Sequence, residues 1–324
     1  MKALVYTAVN RVEILERPQP VPGDGEVLVQ VAATGICGSD LHGFLGHHAR
    51  RQPGLVLGHE TVGIARSGLL AGRRVVVNPL TACGDCRACA LGTPNVCATW
   101  RLLGLDDVQG AFAEYLVVPE ENVLPIPDGV PDSRAVLTEP LANAVHILGL
   151  LPAQRGLRGA ILGGGTLGAL IMLVALRWGM EVEAVVEPNA ARAEALRRLG
   201  APRVIDPRVE SLPEGLDFAV DAVGRSTTRQ AAVRSVRKGG TVLLLGLDEG
   251  DTTLDFQDLV RREIRLQGSF AFTPDDFRDA LGMIADGHVQ LDSFTDILPL
   301  AEGQAAFERL ANDPGDRLKI LLQP

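Results

Sequence analysis

Four cysteines fall within fifteen residues, as Cys83-x2-Cys86-x2-Cys89-x7-Cys97. Thiols at such short intervals let one loop wrap a tetrahedral ion, and zinc favours closed all-sulfur shells of this kind. Gly84, Asp85, Gly92 and Pro94 fill the gaps with residue types that turn the chain tightly. Four sulfurs leave no position open for substrate, so the expected role is structural. Steps of three residues also occur in some iron–sulfur motifs, and disulfides are a further alternative. The fifth cysteine stands apart. Cys37 lies in Gly35-Ile36-Cys37-Gly38-Ser39-Asp40-Leu41-His42, Gly58-His59-Glu60 follows, and Thr138-Glu139-Pro140 comes later. A thiolate, an imidazole and carboxylates suit a catalytic zinc, which takes three protein ligands and one exchangeable position. Taken singly, each has a plainer reading: a core cysteine, a hydrogen-bonded histidine, a Glu-Pro turn.

A second group of residues is suited to phosphate. Gly163-Gly164-Gly165-Thr166-Leu167-Gly168 contains G-x-G-x-x-G, which gains meaning by following an apolar strand and opening an apolar helix. Gly163 allows the tight turn, Gly165 lets the backbone approach a pyrophosphate, and Gly168 lets the helix pack on the sheet. The helix N-terminus then offers free N–H groups to the phosphates. Glu187 lies nineteen residues beyond Gly168. An acidic residue there binds ribose hydroxyls and repels a 2′-phosphate, which favours NAD over NADP. Arg192 is the counter-indication, since it could bind that phosphate. The plainer reading is a glycine turn that only tightens a strand–helix unit.

The elements needed to hold these groups can be read from the remainder. With 324 residues and 46% apolar composition, the chain has material for two domains with sizeable cores. The first 140 residues are rich in short strands bounded by Gly and Pro, such as 27–32 and 72–77, which predicts a barrel-like or Greek-key domain. From 141 onward strands and helices alternate: strands at 160–162, 182–186, 217–221 and 241–245, helices at 166–178 and 190–199. Buried strands of that kind predict a doubly wound parallel sheet running to about 275. The tail holds helices at 274–286 and 302–311 and a last strand at 318–322. Net charge is −9 with no basic stripe, which argues against nucleic acid. The opening residues carry no signal-peptide core, and the apolar run 167–176 is too short for a bilayer, so a soluble cytoplasmic protein is expected. Without a signal peptide, the cysteine pattern favours metal over disulfides.

Taken together, GICGSDLH, GHE, the cysteine lobe, GAFAEY at 110–115, the Glu-Pro element, GGGTLG, DAVG at 221–224 and the terminal KILL resemble the zinc-containing medium-chain dehydrogenase/reductase family, which includes alcohol, polyol and threonine dehydrogenases. The resemblance runs over nearly the whole chain. It implies a GroES-like β-barrel catalytic domain over 1–140, a Rossmann NAD-binding domain over 141–275 and a tail, 276–324, returning to the first domain, with catalysis in the cleft between domains. It implies two zinc ions per chain. Cys37 and His59 would ligate the catalytic ion, with Glu60 or Glu139 binding it directly or holding its water. Adjacent His59 and Glu60 point to opposite faces of a regular strand, so both can ligate only if the backbone is irregular there. Ser39 and His42 match the family's proton relay. Thr166, Leu167, Val223, Gly224 and Leu247 join the glycines at the cofactor.

The implied reaction is hydride transfer between NAD(H) and a secondary alcohol or ketone. Glu139-Pro140 in place of a cysteine is similar to the polyol and threonine branch, so a polyol or sugar alcohol is the expected substrate, with L-threonine or a simple secondary alcohol as alternatives. A zinc-free NADPH quinone reductase and a non-catalytic NAD-binding zinc protein are the rival classes. Arg50 and Arg51 could meet an anionic substrate, but exposed surface charge is the expected role. His47 and His48 have no family counterpart and read as loop residues. The segment between Glu60 and Gly72 is short for the family, which predicts a trimmed hairpin. Relatives form dimers or tetramers, and residues 261–269 could supply the sheet edge for one.

Overall fold

The computed structural model describes residues 1–152 and 155–324. It divides into two compact units, one of 1–139 with 273–324, the other of 140–272.

The first unit is built on strands. β1 (Lys2–Ala8) and β2 (Arg11–Glu16) form a hairpin. β3 (Glu26–Gly35) then alternates buried and half-buried residues, and Val27, Val29 and Val31 point into one core. After β3 come α1 (Gly38–Phe44), β4 (Glu60–Ala65) and β5 (Arg74–Val77). β4 and β5 pair as an antiparallel hairpin from Thr61↔Val77 to Ile64↔Arg74, joined through residues 66–73. The cysteine lobe follows, with β6 (Leu80–Thr81) paired to β7 (Arg101–Leu102) and α2 (Arg87–Ala90) between them. β8 (Tyr115–Pro119), β9 (Val123–Pro125) and α3 (Asp132–Ala135) complete this stretch.

The second unit is a parallel sheet with helical crossovers. α4 (Thr138–Gly149) leads in, its first two residues lying in the first unit. β10 (Arg158–Leu162), α5 (Thr166–Arg177), β11 (Glu181–Val186), α6 (Ala190–Arg198), β12 (Val204–Ile205), β13 (Leu216–Asp221), α7 (Ser226–Ser235), β14 (Val236–Leu244), α8 (Phe256–Arg262) and β15 (Arg265–Gly268) follow. The strand order is β12-β11-β10-β13-β14-β15, every pair parallel. This is the doubly wound order, with its switch point between β10 and β13. α5 is apolar along most of its length, and seven of its residues are buried.

The tail supplies α9 (Pro274–Ala285), β16 (Thr295–Pro299), α10 (Gly303–Asn312) and β17 (Lys319–Gln323) to the first unit. Thr273 caps α9, its hydroxyl accepting from Asp276 N–H while the Asp276 carboxylate accepts from Thr273 N–H. β17 pairs antiparallel with the end of β3, Leu321 opposite Gly35 and Leu322 opposite Thr34, which gives the sheet order β16-β17-β3-β4-β5-β9 with β8 on the other stretch of β3. Phe307 of α10 stacks on Phe44 at 5.0 Å and meets Phe112 edge-on at 5.9 Å. Among the described residues no helix is long and apolar enough to cross a membrane.

Candidate active site

Cys37, His59 and Glu60 converge. One ligand atom from each lies within 4.8 Å of the others. Cys37 is the N-cap of α1, and Glu60 is the first residue of β4. His59 precedes that strand, just after Gly58 at φ +93°. The backbone is therefore irregular where the alternation of a strand would have separated the two side chains. Glu139, in the first turn of α4, is buried but stands outside this cluster.

Two buried cations neutralise the surrounding carboxylates. Lys319 of β17 donates to both oxygens of Glu60, at 2.8 and 2.6 Å, and to the Ile36 carbonyl at 3.1 Å. Lys319 is 2% exposed and Glu60 is fully buried. Burial works against the ammonium, yet Glu60 and Cys37 hold its pKa above the ordinary value. The other pair is Arg51 with Asp40, at 3.3 Å. Asp40 Oδ2 accepts from Cys37 N–H at 3.1 Å, and Oδ1 accepts from Gly58 N–H at 3.3 Å. Its carboxylate thus ties together both segments that carry the thiol and the imidazole. Burial opposes that charge, but His59 and Arg51 bring Asp40 down to about 2. His59 Nδ1 lies 3.5 Å from Asp40 Oδ1, an electrostatic contact without a formed hydrogen bond. Burial opposes the imidazolium as well, but Asp40 and Cys37 keep the His59 pKa well raised. A soft sulfur, an imidazole and a carboxylate whose ligand atoms lie this close together are a donor set that fits a zinc ion.

Arg51 corrects the sequence reading, which expected surface charge. It is 3% exposed, because its guanidinium is consumed internally by Gly104 O, Ser39 O, Ser39 Oγ and Asp40. Arg50 does stay at the surface, forked onto Asp106 and lying over the Trp100 ring at 4.5 Å. Ser39 and His42 both sit on α1. The His42 ring meets His47 edge-on at 6.4 Å. His47 is exposed, and His48 is half-buried with its pKa pushed down by burial and then by Arg51 and Arg50. From the sequence, neither Asp40 nor Lys319 is assigned a role. Asp40 is the acidic residue within GICGSDLH and Lys319 opens the terminal KILL, but only the pairing of β17 with β3 shows that Lys319 meets Glu60.

All five cysteines are free thiols. Cys83, Cys86, Cys89 and Cys97 form the second metal-competent group, with Cys83–Cys97 at 3.4 Å and Cys86–Cys89 at 3.6 Å between sulfurs. Backbone N–H groups of Cys83 and Thr99 both point at Cys97 sulfur at 3.4 Å, and these hold that thiol down at about 6.

In the second unit the glycine loop joins β10 to α5. A Cβ on Gly168 would lie 1.8 Å from the Gly163 carbonyl oxygen, so only glycine permits this approach. Gly165 caps α5, with Thr166 and Leu167 in its first turn. Val223 and Gly224 follow β13 and donate to Asp221 Oδ1, at the same end of the sheet. Glu187 directly follows β11, and its carboxylate accepts from Gly164 N–H at 3.2 Å and Asn189 N–H at 2.8 Å. Arg192 is half-buried at the start of α6, its Nε buried without a hydrogen bond. Leu247 is 81% exposed.

Comparison with known proteins agrees with both units. The alcohol dehydrogenase GroES-like domain family matches residues 23–128, and the zinc-binding dehydrogenase family matches residues 166–286. Sorbitol dehydrogenase of Bacillus subtilis is 31% identical over 100% of this chain and 97% of its own length. L-threonine 3-dehydrogenase of Pyrococcus horikoshii is 35% identical over 76% of each chain. The crystal structure of L-idonate 5-dehydrogenase from Escherichia coli superposes with a TM-score of 0.92, at 25% identity, covering 100% of this chain and 98% of that one. With a GroES-like unit, a Rossmann unit and full-length relatives of this kind, the chain belongs to the zinc-containing medium-chain dehydrogenase/reductase family.

Proposed function

We propose that this protein oxidises a secondary hydroxyl of a polyol or sugar alcohol with NAD. The carbinol carbon gives its hydride to the nicotinamide, the hydroxyl gives a proton to solvent, and the products are a ketone, NADH and a proton. The observation that carries the reading is the cluster of half-buried Cys37 with buried His59 and Glu60, flanked by Asp40 and Lys319. Cys37 and His59 would hold a catalytic zinc, with Glu60 or Glu139 as the third group and the four-cysteine lobe holding a structural one. Zinc, when bound, supplies a Lewis acid that makes a hydroxyl easier to deprotonate. Ser39 and His42 would then move the proton outward along α1. Glu187 favours NAD, because a carboxylate at the end of β11 accepts from ribose hydroxyls and repels a 2′-phosphate. Thr166, Leu167, Val223, Gly224 and Leu247 would line the rest of the cofactor.

The state of the two arginines favours a neutral polyol. Arg51 is consumed internally and Arg50 by Asp106, so neither is offered to an anionic substrate group. L-Threonine is the second reading, favoured by the 35% identity to the Pyrococcus enzyme. A panel of polyols, L-threonine and simple secondary alcohols, run with NAD and with NADP on protein of measured zinc content, tests all of this. The expected result is NADH formation on polyols, abolished by chelator, with two zinc ions per chain. No turnover on any alcohol by zinc-loaded protein would overturn the assignment.

A further inference from the structure

Arg51 pairs with Asp40 beside the candidate metal site, yet most of its hydrogen bonds go elsewhere. Its Nε donates to Gly104 O at 3.0 Å, one terminal nitrogen donates to Ser39 O at 2.5 Å, and the other reaches Ser39 Oγ at 3.2 Å and Asp40 Oδ1 at 3.3 Å. Its stem lies across α1 so closely that a Cβ on Gly43 would come within 2.4 Å of Arg51 Cδ. Gly43 is thus the position on the helix that leaves room for it.

We propose that Arg51 is a positioning residue for the alcohol oxidation, acting through the hydroxyl of Ser39. The inference rests on the dehydrogenase reading above. A serine hydroxyl has two acceptor sites and one proton. The guanidinium takes one acceptor site. One acceptor site is then left for the substrate hydroxyl, and the serine's own proton is left to move on toward His42. The hydroxyl can no longer rotate among equivalent roles, so the relay has a fixed direction: Ser39 Oγ gains the substrate proton as it releases its own. Ser39 O, held by the same fork, fixes the backbone that carries it. A planar fork can make these contacts at once, whereas an ammonium is a point charge that cannot.

The test uses the full-length, zinc-loaded protein and variants R51K, S39A and R51K/S39A. Lysine keeps a charge beside Asp40 and loses the fork. The expected outcome for R51K is a kcat lower by roughly tenfold, part of the hundredfold or more that a positioned proton-transfer group contributes. KM for NAD, zinc content and the rate of zinc loss to chelator should match the parent. The double variant should fall no further than S39A alone. Wild-type kcat in R51K overturns the proposal. So do losses that multiply in the double variant, which would make Arg51 independent of Ser39. Faster zinc release from R51K also overturns it, because Arg51 would then act on Asp40 and the metal ligands instead. If R51K does not fold, R51Q, which keeps an N–H donor near Ser39, is held to the same criteria. A parent inactive on every alcohol overturns the dehydrogenase reading, and this inference with it, whereas an active parent with an unaffected R51K overturns this inference alone.

Discussion

At the scale of single residues, the candidate site is a balance of buried charge. Glu60 and Lys319 face each other at 2.6 Å, each essentially without solvent. Such a pair adds little net stability, but removing one partner strands the other charge in a medium that cannot solvate it. Replacing Lys319 with Met should therefore destabilise the first unit by about 3–5 kcal/mol. Adding Glu60→Gln to Lys319→Met should recover a large part of that loss. Urea unfolding of the two variants measures both effects, and a single variant as stable as the parent would show that Glu60 is not held by this pair. Cys37, His59 and Glu60 were legible because their types and spacing are informative within a short stretch of chain. Lys319 lies 259 residues from Glu60, and nothing local marks it as a partner. Arg51 was misread for a related reason. Its immediate neighbours in sequence are polar, and only the folded path of α1 and the loop at Gly104 surrounds it.

At the scale of elements, local chemistry again separates what was legible from what was not. The glycine loop could be read because each glycine answers a local steric demand at the turn from β10 to α5. Gly168→Ala would force a methyl against the Gly163 carbonyl, at 1.8 Å in the present backbone. The first turn of α5 must then move away from the glycine loop. NADH affinity should fall at least about tenfold, or ~1.4 kcal/mol, while the cysteine lobe keeps its metal. Fluorescence titration with NADH and zinc analysis check the two halves of that statement, and unchanged affinity would refute the assigned role of the loop. β16 shows the opposite case. Its sequence, TDILP, has no fully buried residue, so no apolar alternation announced a strand. It becomes one by pairing in parallel with β17 through the α10 crossover, from Thr295↔Lys319 to Pro299↔Gln323. The register of β17 on β3 was equally hidden, since an apolar terminal run specifies a strand but not its neighbour.

At the scale of the whole molecule, the remaining question is what covers the outer edge of the parallel sheet. β15 is paired with β14 on one side, and all four of its residues are exposed. Phe256 and Val260 of α8, the helix that leads into β15, are 70% and 76% exposed. An open strand edge and exposed apolar side chains are each a liability for a lone chain. A second copy related by a twofold axis removes it, because each chain then brings the same edge to the other. This stretch carries both signs of charge, Arg261, Arg262 and Arg265 alongside Asp258 and Glu263, so a twofold copy can set opposite charges against one another. The protein should accordingly sediment as a dimer or a larger even assembly. Phe256→Asp combined with Val260→Asp should shift it toward monomer with little change in the far-ultraviolet spectrum, since neither side chain contributes much to the core of its own chain. A parent that sediments as a monomer at micromolar concentration would rule out the sheet edge as a self-association surface. An assembly unaffected by the double substitution would move the interface to another face.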